Sequence, residues 1–134
     1  MPRPAPGAII AIAVTSASEL NKRRVRLFVE AVCNEGRLDL VDELVADDYV
    51  GRCGSAAGGV RGPAGVRSLV SGYRRAHPDL EVKIDDQLAE EDRVATRWRV
   101  TSDARTRCWA GISIVRLLAG KQVDSHTEYT EVRR

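Results

Sequence analysis

Leu80-Glu81-Val82-Lys83-Ile84 alternates apolar with charged side chains directly after Pro78, and there the hydrophobic period changes from helical to two-residue. Successive side chains of a strand point to opposite faces, so Leu80, Val82 and Ile84 share one face of a sheet. The strand pattern persists downstream. Glu90-Glu91-Asp92 makes a polar turn, residues 94–101 form the next strand, and residues 109–118 form a third with apolar residues on both faces. Ala119-Gly120-Lys121 is a tight hairpin turn into a last strand over residues 122–132.

Upstream of Pro78 the period is helical. Ser16 and Glu19 sit three apart, as a capping box requires, and Val25, Phe28, Val29 and Val32 share one face of a helix predicted over residues 17–34. Gly36 stands where a left-handed C-cap residue stops such a helix. A shorter helix is predicted over residues 38–46, with Val41, Leu44 and Val45 as its apolar stripe. Gly51 to Gly62 is rich in Gly, Ala and Ser and reads as a loop over the surface or over a pocket mouth. Pro63 suits the first turn of a third helix, lined by Val66, Leu69, Val70 and Tyr73, which ends near His77-Pro78 because proline restricts the residue before it. The class is α+β, three helices followed by a strand meander.

At 134 residues there is room for one hydrophobic core, so residues 16–134 are taken as one domain. Residues 1–15 are read as an N-terminal extension, disordered or laid against the body as an extra strand. Its apolar run, residues 8–14, is too short to span a bilayer. Hydrophobic residues are 43% and charged residues 30%, which is globular rather than disordered composition. The net charge of +2 comes from scattered arginines, and Arg23-Arg24 and Arg74-Arg75 read as solvated helix faces, so neither nucleic acid nor a membrane is expected as a partner. Cys33, Cys53 and Cys108 are odd in number, without CxxC spacing or neighbouring histidines; this fits a reducing, cytoplasmic setting and no metal site.

Several short motifs narrow the class. Residues 29–36 (Val-Glu-Ala-Val-Cys-Asn-Glu-Gly), 44–50 (Leu-Val-Ala-Asp-Asp-Tyr-Val), 62–66 (Gly-Pro-Ala-Gly-Val) and 77–80 (His-Pro-Asp-Leu) occur in that order. They are followed by 91–95 (Glu-Asp-Arg-Val-Ala) with Arg97-Trp98, and by 114–117 (Ile-Val-Arg-Leu) with Gly120-Lys121. Their order and spacing, over residues 20–130, resemble the SnoaL-like polyketide cyclase family. The resemblance implies the cone-shaped nuclear transport factor 2-like fold, in which three N-terminal helices pack on a curved antiparallel sheet around an apolar pocket. It also implies a homodimer, formed through the outer sheet face carrying Ile112, Ile114, Leu118, Arg97 and Arg99. One departure stands out: the family usually has a longer excursion between its second and third long strands, whereas here residues 100–107 connect almost directly to Cys108-Trp109.

On the last strand Gln122, Asp124, His126 and Glu128 alternate and are expected to project to one face, spaced about 6.5–7 Å apart. His126-Thr127-Glu128-Tyr129 is similar to the stretch that supplies the carboxylate general acid and base of SnoaL-type cyclases, which puts Glu128 on the carboxylate position with His126 assisting it. The same alternation is what a strand shows when its polar side faces water. The cyclases carry a histidine on the preceding strand where Ser113 stands here. Trp98, Tyr49, Tyr73, Phe28, Trp109, Ser113 and Asp124 are the candidate substrate-binding residues, and each aromatic can equally be plain core. His77 reads as a surface or capping residue.

The function implied is a cofactor-independent enzyme acting on a hydrophobic small molecule by general acid–base chemistry, of cyclase or isomerase type. Two alternatives remain: a non-catalytic small-molecule-binding or accessory protein that keeps the cone, and an epoxide hydrolase-like enzyme. Related cones host several reactions, so fold alone does not choose among them.

Overall fold

The computed structural model describes residues 16–54 and 58–133. The expected extension over residues 1–15 lies outside the described residues. Helix α1 spans Ala17–Leu27 and runs on as a wider π-turn segment, Phe28–Asn34. Ser16 caps it, accepting a 3.1 Å hydrogen bond from the Glu19 amide. At the other end Gly36, at φ 71°, lets the chain turn back so that its amide reaches the Val32 carbonyl and the Arg37 amide the Ala31 carbonyl. A 3₁₀ turn, Leu38–Leu40, leads into the one-turn helix α2, Val41–Leu44.

The predicted second helix stops two residues early because Val45 turns extended and opens strand β1, Val45–Cys53. Part of the segment read as a loop is therefore sheet: β1 is followed by the two-residue strand β2, Val60–Arg61, and then by α3, Gly62–Ala76. The four long strands follow as β3 (Glu81–Glu90), β4 (Arg93–Ser102), β5 (Arg107–Leu118) and β6 (Lys121–Val132). Their order in the sheet is β2-β1-β6-β5-β4-β3. The meander is antiparallel as expected, but β1 lies parallel to β6, so the sheet is mixed and has six strands rather than four.

Two bulges curve this sheet around the helices. In β3 the register steps past Asp85 between Ile84 and Asp86, and the displaced carboxylate takes a two-pronged ion pair from Arg99, with contacts of 2.8–3.1 Å. In β6 it steps past Val123, since Asp124 faces Arg116 but Gln122 faces Leu117. Apolar burial is divided between two clusters. One joins Val32, Val41, Leu44, Val45, Tyr49, Val66 and Val70; the other joins Val25, Val94, Val115 and Leu117. Each such side chain contributes about 1.5–3 kcal/mol. Of the residues expected in the core, Val25 and Val66 are buried, whereas Leu69 and Tyr73 are 40% and 50% exposed because they border a cavity. Among the described residues no helix is long and apolar enough to cross a membrane.

Candidate functional site

The concave face of β3–β6 and the helices above it enclose a cavity of about 480 Å³. Phe28, Val29 and Cys33 from the first helix and Leu69, Val70 and Tyr73 from α3 form its roof. Its floor is the inward side of the sheet: Val82, Thr96, Trp98, Val100, Trp109, Ser113, Val115, Gln122, Thr127 and Tyr129. Five of the expected binding residues, Trp98, Tyr73, Phe28, Ser113 and Trp109, line it.

The β6 bulge corrects the expectation for the last strand. Slipping one residue exchanges the two faces of everything beyond it. Gln122 points inward, but after Val123 the inward series becomes odd-numbered, so Thr127 and Tyr129 line the cavity while Asp124, His126 and Glu128 project from the opposite face. The His126 and Glu128 side chains are 56% and 66% exposed and bond to each other at 3.1 Å, Nε2 to Oε1. Asp124 takes a 2.8 Å ion pair from Arg116 on the same outer face. These three residues do not share a site with Trp98 or Tyr73. Tyr49 is also outside the cavity. It is a core residue, 8% exposed, whose hydroxyl pairs with Ser125 Oγ at 2.6 Å, and burial pushes its phenol up.

Few polar groups line the cavity. Trp98 Nε1 donates to Ser113 Oγ at 3.0 Å, and Ser113 Oγ stands 2.8 Å from Thr127 Oγ1. The Trp98 ring lies 6.3 Å from that of Tyr129, tilted by 39°. Arg74 reaches the end of the π-turn segment and donates to the carbonyls of Cys33 and Asn34 at 2.9 and 2.6 Å, the favourable place for a cation at a helix C-terminus. The Cys33 thiol is pushed up to about 12 by burial, with Arg74 pulling weakly the other way, so it stays protonated.

His77 is the only histidine of the lining. His77 caps the end of α3, its amide donating to the Tyr73 carbonyl at 2.8 Å, while its ring packs edge-on against Trp109 with centroids 5.2 Å apart and an interplanar angle of 63°. Its Nδ1 is buried with no hydrogen-bond partner among the described residues, 3.7 Å from the Asp103 carboxylate. Asp79, two residues on, clasps the β4–β5 turn: its Oδ1 accepts from Ser102 Oγ and the Asp103 amide at 2.9 Å each, and its Oδ2 from the Ala104 amide at 2.8 Å. The short connection between β4 and β5 thus brings Asp103 to His77. The sequence around His77 carries no sign of this, because both partners arrive from later strands.

Solved structures share this architecture. A candidate ketosteroid isomerase from Kribbella flavida superposes with a TM-score of 0.77 at 14% identity, covering 90% of this chain and 85% of that one. A SnoaL-like polyketide cyclase candidate from Jannaschia sp. CCS1 does so at 0.75 and 15% identity, covering 88% and 89%. IdmH, a candidate polyketide cyclase from Streptomyces antibioticus, gives 0.68 at 22% identity over 81% of this chain and 91% of its own. These likenesses show the fold, the nuclear transport factor 2-like cone. No functionally curated protein matches the chain in sequence. The model of one family, described as SnoaL-like polyketide cyclase, matches residues 23–124, and with most of the chain so covered the protein belongs to the SnoaL-like polyketide cyclase family.

Proposed function

We propose that the protein is a small enzyme of the cyclase or isomerase type, acting without an organic cofactor on a hydrophobic carbonyl compound held in the cavity. The observation that carries this reading is His77, a lining imidazole with one nitrogen buried beside a carboxylate at 3.7 Å. Imidazole gives and takes protons near neutrality. With Nδ1 turned to Asp103, Nε2 is the nitrogen left for a ligand. Nε2 takes a proton from the carbon next to a carbonyl, and the C–H electron pair moves onto the carbonyl oxygen as an enolate. Returning the proton to a different carbon isomerises the compound; attack of the enolate carbon on a second carbonyl of the same molecule closes a ring. General acid–base catalysis of this kind contributes about 10²–10⁴-fold.

Deuterium exchange next to the carbonyl of 2-tetralone or anthrone, followed by NMR in D₂O, tests proton abstraction without the native substrate. The protein accelerates exchange in at least one of them, His77→Gln loses about 10²-fold or more of that acceleration, and Glu128→Gln on the outer face keeps it. Unaccelerated exchange with ketones that demonstrably bind would sink the enzyme reading. It would leave the accessory, ligand-binding reading, which is favoured by the lack of any Asp or Glu lining the cavity among the described residues.

The working unit in this proposal is a cytoplasmic homodimer joined through the outer sheet face. Ile112, Ile114 and Leu118 stand 45%, 47% and 66% exposed there, beside Arg97 and Arg99 of the adjoining strand.

A further inference from the structure

Trp98, Ser113 and Thr127 form a chain whose hydrogens can be counted. An indole N–H only donates, so Ser113 Oγ is the acceptor of the 3.0 Å bond from Trp98. The 2.8 Å contact between Ser113 and Thr127 consumes one hydroxyl hydrogen, whichever residue supplies it. Two of the three polar hydrogens thus enter two bonds, and one O–H remains, on Thr127 if Ser113 donates to it and on Ser113 if the donation runs the other way. Among the described residues neither hydroxyl has a further protein partner. An O–H kept in apolar surroundings without an acceptor costs free energy, and Ser113 and Thr127 both belong to the lining of the half-open cavity.

We infer that Ser113 and Thr127, polarised by Trp98, are a carbonyl-anchoring site that selects apolar ring compounds bearing a neutral oxygen acceptor. This deepens the reading of the cavity as a ligand site but does not depend on turnover. Donation from the indole makes the terminal O–H a better donor than an isolated hydroxyl, since chained hydrogen bonds polarise one another. The site is separate from His77. Trp109, which His77 touches, lies four residues before Ser113 on β5, about 13 Å along the strand. A ligand anchored at Ser113 and Thr127 must therefore be elongated to present a second carbonyl to His77.

The count makes an unusual prediction for mutagenesis. Thr127→Val leaves the Ser113 hydrogen free, and Ser113→Ala leaves those of Thr127 and of the Trp98 indole, so either single variant keeps a donor; only Trp98→Phe/Ser113→Ala/Thr127→Val has none. The probes are 2-acetylnaphthalene and 2-ethylnaphthalene, alike in shape but differing in the acceptor, with binding read by Trp fluorescence. The carbonyl stretch of bound ¹³C=O-labelled ketone is read by infrared difference spectroscopy. The wild type is expected to prefer the ketone by about threefold to tenfold, the range of one net hydrogen bond, with the stretch shifted to lower frequency than in hexane. Both single variants keep the shift and the triple variant loses shift and preference together. Equal affinity for the two compounds and an unshifted stretch in the wild type would overturn the anchoring site while leaving the cavity a ligand site. Retention of the shift in the triple variant would overturn it too, and the wild-type spectrum decides even if that variant does not fold. Failure of both compounds to bind the wild type would overturn the cavity reading and this inference with it.

Discussion

Gly111 lies directly beneath the indole of Trp98. A Cβ on Gly111 would stand 2.6 and 2.8 Å from Trp98 Cζ2 and Cη2 and 2.7 Å from the backbone oxygen of Glu128. The two residues are cross-strand partners on the cavity floor, so the missing side chain is the space the indole occupies. Gly111→Ala forces either the ring or the β5–β6 pairing to move, and overpacking of this kind costs about 1–3 kcal/mol. A lowered melting temperature and a shifted Trp emission maximum are expected together. An unchanged emission spectrum would mean the indole does not lie over Gly111.

Asp79 holds a strained turn. Asp103, Ala104 and Arg105 take φ values of 55°, 55° and 68°, three successive left-handed residues without a glycine. Such residues cost roughly 1–2 kcal/mol each, and the Asp79 carboxylate offsets part of this by accepting from the turn amides. Those amide bonds, of Ala104 first and then Asp103, with Ser102 behind them, hold the Asp79 carboxyl below its ordinary value. A carboxyl lowered in the folded state contributes stability above its unfolded value of about 3.9, and loses it as pH falls through the lower folded value. Asp79→Asn is therefore expected to melt earlier than wild type at pH 7, with the gap closing below about pH 4. A gap that stayed constant down to pH 2 would contradict the carboxylate's role.

What the sequence made legible follows from locality. Strands β3, β4 and β5 announce themselves by alternation or by unbroken apolar runs, the first helix by the Ser16–Glu19 cap, and the family by motifs strung in order. Three features were hidden because each depends on a distant partner. Val123 gives no local sign of a bulge, yet its displacement carries Glu128 and His126 away from the cavity and Thr127 into it. Strand β1 looks like a loop because its pairing with β6 joins segments far apart in the chain. His77 is the helix end the sequence shows, but its contacts with Asp103 and Trp109 form only when β4 and β5 have folded.

The outer sheet face supplies a test of assembly. Ile112 and Ile114 sit there across from Glu128 and His126 of β6, and Arg97 of β4 faces Ile112 on the other side. In the proposed homodimer these side chains meet their symmetry mates. Ile114→Glu brings a carboxylate pair into that contact and should give a monomer by sedimentation equilibrium at micromolar concentration. The helical content should stay unchanged, because Ile114 packs against no cluster of the monomer. A wild-type protein that is itself monomeric at those concentrations would rule out the interface.

The three thiols should separate by reactivity. Cys33 is held protonated by burial, Cys108 is 4% exposed, and Cys53 is exposed where β1 pairs with Thr127 of β6. Neutral iodoacetamide at pH 8 is expected to modify Cys53 first and the other two only on unfolding, as peptide mass spectrometry would read. Cys53 also borders the cavity, so a bound ketone should slow its labelling. The Cys53 thiol is itself raised, by partial burial first and by the negative charge of Glu128 second. Glu128→Gln removes that charge, lowers the thiol's proton affinity and increases the thiolate fraction at pH 8, so alkylation should quicken. Two charges about 4 Å apart in water interact by about 1 kcal/mol, and screening reduces this further, so the gain is at most about fivefold and falls with added salt. Glu128 lies beside the C-terminal end of β1, its carboxylate Oε2 3.7 Å from where a Cβ on Gly54 would stand. A labelling rate at Cys53 that ignored both the substitution and the salt would place the Glu128 carboxylate elsewhere.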